Sequence, residues 1–144
     1  MDIKQEKKPE KLELETIELT AELEKSQLEA ATDSLEFNFG VSRIHEMEHK
    51  SSKVVIYSNG TFETSTVLFD DSRHRKYGNT ITFSLQFADS SSHLCNISSF
   101  SANFSPDEEK TYPTTGENDC VKTNFDLVKE GKLKPSMYWK CWKR

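Results

Sequence analysis

The chain has 144 residues, of which 24 are acidic, 19 are basic and 34% are hydrophobic. This length suits one domain with a single core and is too short for two domains of comparable size. The sequence has no run of about 18 apolar residues, which excludes a helical membrane span. Only residues 129–144 are clearly basic, which argues against nucleic acid as a partner.

The N-terminal segment is acidic and rich in helix-forming residues. Residues 1–36 carry 11 acidic and five basic side chains, so the net charge of −5 for the whole chain originates there. From residue 9 to residue 31 the sequence consists mainly of Glu, Lys, Leu and Ala, which favour a helix. One face of this helix would carry an apolar stripe, formed by Leu12, Leu19 and Leu23. We predict an acidic, helix-prone arm over residues 1–33 and an antiparallel β domain over residues 34–144.

After residue 34 the pattern changes from helical to alternating, which is typical of half-buried strands. The predicted strands cover residues 35–41, 53–58, 61–69, 80–87, 93–104 and 137–142. Asn59-Gly60 separates two of them and predicts a β-hairpin with a type I′ turn. The apolar face of the strand at 93–104 switches between Ile97 and Phe100, which predicts a β-bulge.

The remaining segments predict loops and one short helix. Residues 70–78 and 105–118 are polar or contain Pro and Gly, so we expect loops there. A short helix is expected from Asp126 to Glu130, ended by Gly131. Together these elements predict a mainly β fold, an antiparallel sandwich or open barrel of about five to six strands with an N-terminal helix and a short C-terminal helix.

A series of turn residues gives the chain a resemblance to a known group of domains. It consists of Ser58-Asn59-Gly60-Thr61-Phe62 opening an alternating strand, Asp70-Asp71, a second strand ending at Asp89, and Gly131-Lys132-Leu133-Lys134-Pro135. Over about residues 53–140 this order of features resembles small bacterial β-sandwich domains of unknown function. The resemblance implies a β-sandwich fold and implies no catalytic residues.

The string His45-Glu46-Met47-Glu48-His49 matches the His-Glu-x-x-His pattern of zinc metallopeptidases. In that pattern a helix places both imidazoles on one face to hold zinc, and the Glu activates the bound water. Here the segment lies between two predicted strands, which favours a solvated strand end without metal. In an extended chain Glu46 would point away from His45 and His49. The alternative is a zinc-dependent metallohydrolase that uses His45, Glu46 and His49, and zinc is expected only for this alternative.

The C-terminal strand contains a mixture of rings and cations that is typical of binding surfaces. Alternation predicts that Trp139 and Cys141 face one way while Tyr138, Lys140 and Trp142 face the other, so at least one Trp should complete the core. Exposed rings beside cations bind single-stranded nucleic acid, anionic membrane surfaces or sugar rings, although a Trp here also suits the core. Tyr138, Lys140 and Trp142 are therefore the candidate binding residues.

Three cysteines bear on the compartment. The sequence has an odd number of cysteines, Cys95, Cys120 and Cys141, and no Cys-x-x-Cys pair. This pattern suits a reducing compartment. The extracellular alternative would have one disulfide and one thiol. Because the sequence shows neither a signal peptide nor a membrane span, we predict a cytoplasmic protein.

These features favour a non-enzymatic protein-interaction module over an enzyme. An inhibitor or immunity-type protein would use the charge of the arm to attract a basic protein partner, whereas nucleic acid and membranes are not expected as partners. Besides the metallohydrolase, a second alternative is a small-ligand-binding β-barrel. Its interior would be lined by Phe37, Phe39, Phe83 and Phe87.

Overall fold

A computed structural model describes residues 15–20, 34–90 and 92–144. These residues form nine strands and one helix, α1, at Asp119–Lys129. The strands are β1 (Glu15–Thr20), β2 (Ser34–Phe39), β3 (Ser42–Ile44), β4 (Met47–Tyr57), β5 (Thr61–Asp70), β6 (Tyr77–Phe87), β7 (His93–Phe104), β8 (Glu109–Glu117) and β9 (Leu133–Lys143). The prediction of a mainly β, antiparallel fold with a helix near the C-terminus is confirmed.

The strands form two antiparallel sheets around one core. Sheet A has the order β1-β9-β6-β7, and sheet B has the order β2-β4-β5-β8 with β3 also paired to β4. The buried faces of the two sheets contact each other, because the ring centroids of Phe39 and Phe83 lie 5.9 Å apart and those of His49 and Trp139 lie 5.8 Å apart. Both sheets therefore contribute to the same hydrophobic cluster.

Strand β6 shows the alternation that the sequence predicts. Ile81, Phe83 and Leu85 are fully buried, whereas Thr80 and Thr82, which alternate with Ile81 and Phe83, are half-buried. The strand pairs with β9 on one side and β7 on the other. Sheet A therefore presents one apolar face to the core and one polar face outward.

The hairpin at Asn59-Gly60 is confirmed, but its predicted type I′ turn is wrong. A type I′ turn needs positive φ at two residues, whereas in this loop only Gly60 has positive φ, at 94°. The side-chain Oδ1 of Asn59 accepts the backbone N–H of Thr61 at 3.0 Å, and the N–H of Gly60 donates to the carbonyl of Tyr57 at 2.9 Å. These bonds stabilise a three-residue loop instead.

The predicted N-terminal helix is wrong where the structure describes the chain. Residues 15–20 form strand β1, which pairs with β9 so that Ile17 lies opposite Trp139. Ile17 packs against the core, and this tertiary contact overrides the helix propensity of the segment. The other residues of the predicted helix lie outside the described part, and the division into an arm at 1–33 and a β domain at 34–144 stays a prediction.

The segment after β7 also differs from expectation. Residues 105–118 were expected to be a loop, but Glu109–Glu117 form β8, an edge strand paired with β5. Pro113 lacks a backbone N–H and is tolerated because β8 lies at the end of sheet B. The bulge in β7 is confirmed, because Phe83 pairs with Ser98 and Ser84 with Asn96, which leaves Ile97 as the extra residue.

Helix α1 begins earlier than the sequence indicates. Asn118 is its N-cap, and its last turn is followed by Gly131, which has a φ of 80° as its predicted role requires. Val121, Phe125 and Val128 are the buried residues of this helix. Within the described ranges, no helix combines the length and apolar character of a membrane-spanning segment.

The contribution of β1 can be tested with two truncations. We expect removal of residues 1–20 to lower the free energy of unfolding relative to removal of residues 1–14, because only the longer truncation removes β1 and its ladder with β9. The difference should be at least about 1 kcal/mol, the scale of a single backbone hydrogen bond. Urea unfolding followed by circular dichroism measures it. Equal stabilities would show that β1 adds nothing to sheet A.

Candidate functional site

The segment that matches the metallopeptidase pattern is a hairpin, not a helix. His45 and Glu46 form the turn between β3 and β4, and His45 has a positive φ of 54°. The His45 ring stacks on Tyr77 with centroids 6.1 Å apart, while His49 lies fully buried in β4 against Trp139. The two imidazoles therefore do not share the helix face that zinc binding in this pattern requires.

Both ring nitrogens of His49 are used by the protein itself. Nδ1 lies 2.8 Å from the carbonyl oxygen of Gly40, which can only accept, so Nδ1 carries the hydrogen. Nε2 then accepts from the Ser52 hydroxyl at 2.6 Å, and Ser52 Oγ lies 2.9 Å from Thr66 Oγ1. Burial lowers the pKa of His49, which favours this neutral form. No lone pair of His49 is left for a metal ion.

The carboxylate of Glu46 contacts other side chains and is not placed to activate a metal-bound water. Its Oε1 accepts a hydrogen bond from the Tyr77 hydroxyl at 3.0 Å and lies 4.0 Å from Arg75 Nε. Among the described residues, no group of three His, Cys, Asp or Glu side chains is arranged to hold a metal ion. The geometry gives no support to the metallohydrolase alternative at His45, Glu46 and His49.

The buried His49 makes stability depend on pH. Its pKa is lowered from 6.5, so below about pH 6.5 the unfolded chain binds a proton that the folded chain excludes. We expect the free energy of unfolding to fall as the pH drops from about 7 to 5, by at most about 1.4 kcal/mol per pH unit from this group. Denaturant unfolding at several pH values should show a smaller decline for His49→Gln. An equal decline in both proteins would contradict this role of His49.

The three residues predicted for binding lie on the outer face of sheet A. Tyr138 is 38% exposed, and Lys140 and Trp142 are half-buried. Their neighbours Trp139 and Cys141 are fully buried, which confirms the predicted alternation. The strand therefore presents two rings and an ammonium group outward.

Tyr138 and Lys140 line an open groove of about 510 Å³ on this face. Its other described lining residues come from β6 and from the edge strand β7, and they are Thr80, Thr82, Ser84, His93 and Asn96. The strand register brings them together, because Thr82 lies opposite Tyr138 and Thr80 lies opposite Lys140. Trp142 lies further along β9 and is not part of the lining.

The floor of the groove is formed by hydroxyl groups paired between strands. Thr80 Oγ1 lies 2.9 Å from Ser101 Oγ, and Thr82 Oγ1 lies 2.9 Å from Ser99 Oγ. Each hydroxyl has one hydrogen and two lone pairs, so one such contact leaves it capacity for a further partner. The floor can therefore donate to or accept from a ligand.

The described lining residues of the groove include one lysine. Lys140 contributes an ammonium group whose Nζ lies 5.8 Å from the centroid of the Tyr138 ring, a favourable cation–π distance. The His93 and Tyr138 rings form a T-shaped pair, with centroids 6.4 Å apart and planes at 82°. Among the lining residues that the structure describes none is a carboxylate, although Glu18 of β1 lies opposite Tyr138 in the strand register.

A serine and a histidine meet in the groove, but their surroundings do not favour catalysis. Ser84 Oγ lies 2.8 Å from His93 Nδ1 and 2.9 Å from Ser136 Oγ. A nucleophilic serine needs access to substrate and a base oriented by a third group. Ser84 is only 3% exposed, which leaves its hydroxyl little access to a substrate. The pair therefore shapes the binding surface.

Helix α1 holds the β7 side of the groove. The Asn118 side chain caps the helix by accepting the N–H groups of Cys120 and Val121, at 2.8 and 3.2 Å. Its Nδ2 donates to the carbonyl of Asn96 at 2.8 Å. Cys120 is also joined to Cys95 of β7 by a disulfide. The hydrogen bond and the disulfide therefore both attach β7 to the helix at or next to Asn96, which lines the groove.

The disulfide bears on the predicted compartment. Cys95 pairs with Cys120, while Cys141 is buried outside the disulfide. This pattern of one disulfide and one thiol is the one that the extracellular alternative requires. The cytoplasmic location stays a prediction, and the disulfide gives it no support.

Sequence reasoning missed five of the seven groove residues that the structure describes. The sequence predicts His93 only as the first residue of a strand and the hydroxyl residues of β6 only as part of another strand. The alternation of β6 signals a polar strand face, but only the pairing of β6 with β7 and β9 places it beside Tyr138 and Lys140.

No protein-family model matches this chain, and a search of curated proteins finds no significant match. The functional proposal therefore rests on the geometry of the groove.

The position of Trp142 depends on a glycine beneath it. A Cβ added to Gly78 would lie 2.5 Å from Trp142 Cε2, so Gly78→Ala must displace the indole. We expect a loss of about 1–3 kcal/mol in the free energy of unfolding and a shift of tryptophan fluorescence. Gly40→Ala is the control, since a Cβ there has no neighbour within 4 Å. If both variants match the wild type, Trp142 does not pack on Gly78.

Proposed function

We propose that the protein is a non-enzymatic protein-interaction module that holds a segment of a partner protein on the outer face of sheet A. The observation that carries this proposal is the groove in which Tyr138 and Lys140 of β9 meet polar side chains of β6 and β7. Aromatic residues surrounded by hydrogen-bonding groups are typical of protein interfaces. Tyr138 is the natural anchor, because exposed Tyr residues are frequent hot spots.

The shape of the groove favours a macromolecular segment over a small molecule. Pockets for small molecules bury most of the ligand and are lined mainly by apolar groups. This groove is open, and each of its described lining residues carries a polar group, namely a hydroxyl, amide, imidazole, phenol or ammonium group. Such a surface supports binding of an exposed chain segment by side-chain hydrogen bonds.

The charge of the groove indicates the chemistry of that segment. The lining residues that the structure describes include Lys140 and no carboxylate, and the Tyr138 ring supports the Lys140 ammonium group. An Asp or Glu of the partner would gain a charge-assisted hydrogen bond from Lys140. We therefore propose that the bound segment is acidic.

The packing of the core argues against the small-ligand barrel and supports a sandwich. The rings of Phe39 and Phe83 contact each other between the sheets, and Phe37 is buried with 1% exposure. Phe87, the fourth residue expected to line a cavity, is 39% exposed at the end of β6. Phe37, Phe39 and Phe83 fill the space that an internal ligand would occupy, and Phe87 lies outside that space. The outer face of sheet A is therefore the more suitable binding surface.

An inhibitor or immunity-type form of this function would use the acidic arm instead of the groove. Residues 1–36 carry a net charge of −6, which would attract a basic partner quickly and in a salt-dependent way. Substitutions in the arm and in the groove distinguish these two modes of binding. Glu22→Gln combined with Glu24→Gln and Glu29→Gln should weaken only binding through the arm, because it removes three of the negative charges of residues 1–36. A charge change at Lys140 should weaken only binding through the groove.

The groove is tested by selecting ligands from a display library of random peptides. We expect the selected peptides to be enriched in Asp and Glu, and we expect Tyr138→Ala and Lys140→Glu each to lower affinity at least about tenfold. Lys53→Glu makes the same charge change on the outer face of sheet B and should leave affinity unchanged. Binding is measured by fluorescence polarisation of the selected peptides.

Two outcomes would contradict the proposal. One is a library that yields no acidic binder. The other is a set of binders whose affinity falls as much with Lys53→Glu as with Lys140→Glu, because such peptides respond to net charge and not to the groove.

A further inference from the structure

We infer that the Cys95–Cys120 disulfide is an exchange site for dithiol reductants and that its cleavage loosens the β7 wall of the groove. The statement about the groove rests on the proposed function. The exchange reaction and the local loosening are properties of the chain itself, and both can be measured without any ligand.

The two cysteines are placed for a reversible bond at the margin of the core. Cys95 lies in the edge strand β7 and Cys120 lies in the first turn of α1, with Cα atoms 6.4 Å apart. This separation is within the usual range for a disulfide. Both residues are half-buried and pack against the core from its edge. A disulfide at such a margin is within reach of an external thiol, unlike one enclosed in the core.

Strand β7 needs this support because its ladder is interrupted where it borders the groove. Between Phe83 and Ser84 of β6 the register shifts past Ile97, and between Leu85 and Gln86 it shifts past Leu94. Two extra residues therefore lie within four positions of one edge strand. Bulges of this kind leave residues unpaired and disrupt the hydrogen-bonded ladder locally.

The disulfide lies between these two bulges. Cys95 pairs with Leu85, and Asn96, its neighbour, lines the groove. Besides the ladder, the residues between the bulges are held by the disulfide and by the Asn118 side chain, which donates to the carbonyl of Asn96. Cleavage removes the covalent connection and leaves the Asn118 hydrogen bonds, so the wall loosens without the helix being released.

The reaction is ordinary thiol–disulfide exchange. A thiolate of an external dithiol attacks one sulfur of the pair, the S–S bond breaks, and the other sulfur leaves as a thiolate and takes up a proton. The second thiol of the reductant then resolves the mixed disulfide. In sum the protein disulfide gains two electrons and two protons, and the dithiol becomes a disulfide.

The core should remain folded in both states. Cys141 is buried in β9 outside this pair, and the principal core contacts of α1 are made by Val121, Phe125 and Val128. The state of the bond therefore affects mainly residues 93–98 and the start of α1. Asn96 and His93, which contribute the β7 side of the groove, lie within that region.

The exchange is tested on the full chain under native conditions. After air oxidation we expect no labelling by iodoacetamide, and after incubation with dithiothreitol we expect Cys95 and Cys120 to be labelled while Cys141 remains protected. Peptide mass spectrometry identifies the labelled residues. Absence of the disulfide after oxidation, or reduction only in denaturant, would overturn the exchange site.

The loosening is tested by hydrogen exchange of the oxidised and reduced protein. We expect exchange to accelerate at least about tenfold in peptides covering residues 93–98 and 118–122, and to remain unchanged in β4 and β5. Cys95→Ser with Cys120→Ser should behave like the reduced protein with or without dithiothreitol. Unchanged exchange at 93–98 after verified reduction would overturn the effect on the wall. Equal acceleration in β4 and β5 would also overturn it, since it would indicate general destabilisation.

Discussion

The burial of Trp139 is the constraint on which the rest of sheet A depends. It is the largest fully buried side chain, and its indole N–H donates to the buried Asn79 Oδ1 at 3.1 Å. A buried indole N–H without such a partner would lower the stability of the fold. Because Trp139 lies in β9 and Asn79 lies in β6, this hydrogen bond fixes both the inward direction of Trp139 and the pairing of the two strands. Because side chains alternate along a strand, this one choice sends Tyr138, Lys140 and Trp142 outward.

A buried polar chain adds specificity to the packing of sheet B against β9. His49, Ser52 and Thr66 form a hydrogen-bonded series, and the Ser52 hydroxyl also lies 3.6 Å from Met137 Sδ. Buried polar groups cost free energy unless they are paired. A shift of β4 by one residue would reverse the faces of His49 and Ser52 and break the series. The network therefore favours this register over its neighbours, in addition to the shape of the apolar core.

Local features of the fold can be predicted from the sequence, whereas long-range pairing cannot. The alternation of β6 and β9, the hairpin at Asn59-Gly60 and the bulge at Ile97 all follow from patterns within about ten residues. Strand β1 was missed because a segment rich in Glu and Leu becomes a strand only when β9 offers a ladder. Strand β8 was missed because Pro113 and Gly116 are typical of loops unless the strand lies at a sheet edge.

The same division applies to the candidate site. Tyr138 and Lys140 could be predicted because one strand carries both, and alternation separates them from Trp139. The hydroxyls of β6 and the imidazole and amide of β7 join them only through pairing between strands distant in sequence. The disulfide was equally hidden, since the spacing of the three cysteines does not select Cys95 and Cys120.

The position of the groove over a central strand determines how a ligand can be held. The floor belongs to β6, whose backbone groups already pair with β7 and β9, so an added strand could find no free ladder there. Recognition must therefore come from side chains that stand on a rigid sheet. The β9 side is fixed by Trp139, and the β7 side is interrupted by two bulges. Any adjustment to a partner is thus confined to the β7 wall, where His93 and Asn96 contribute the imidazole and the amide.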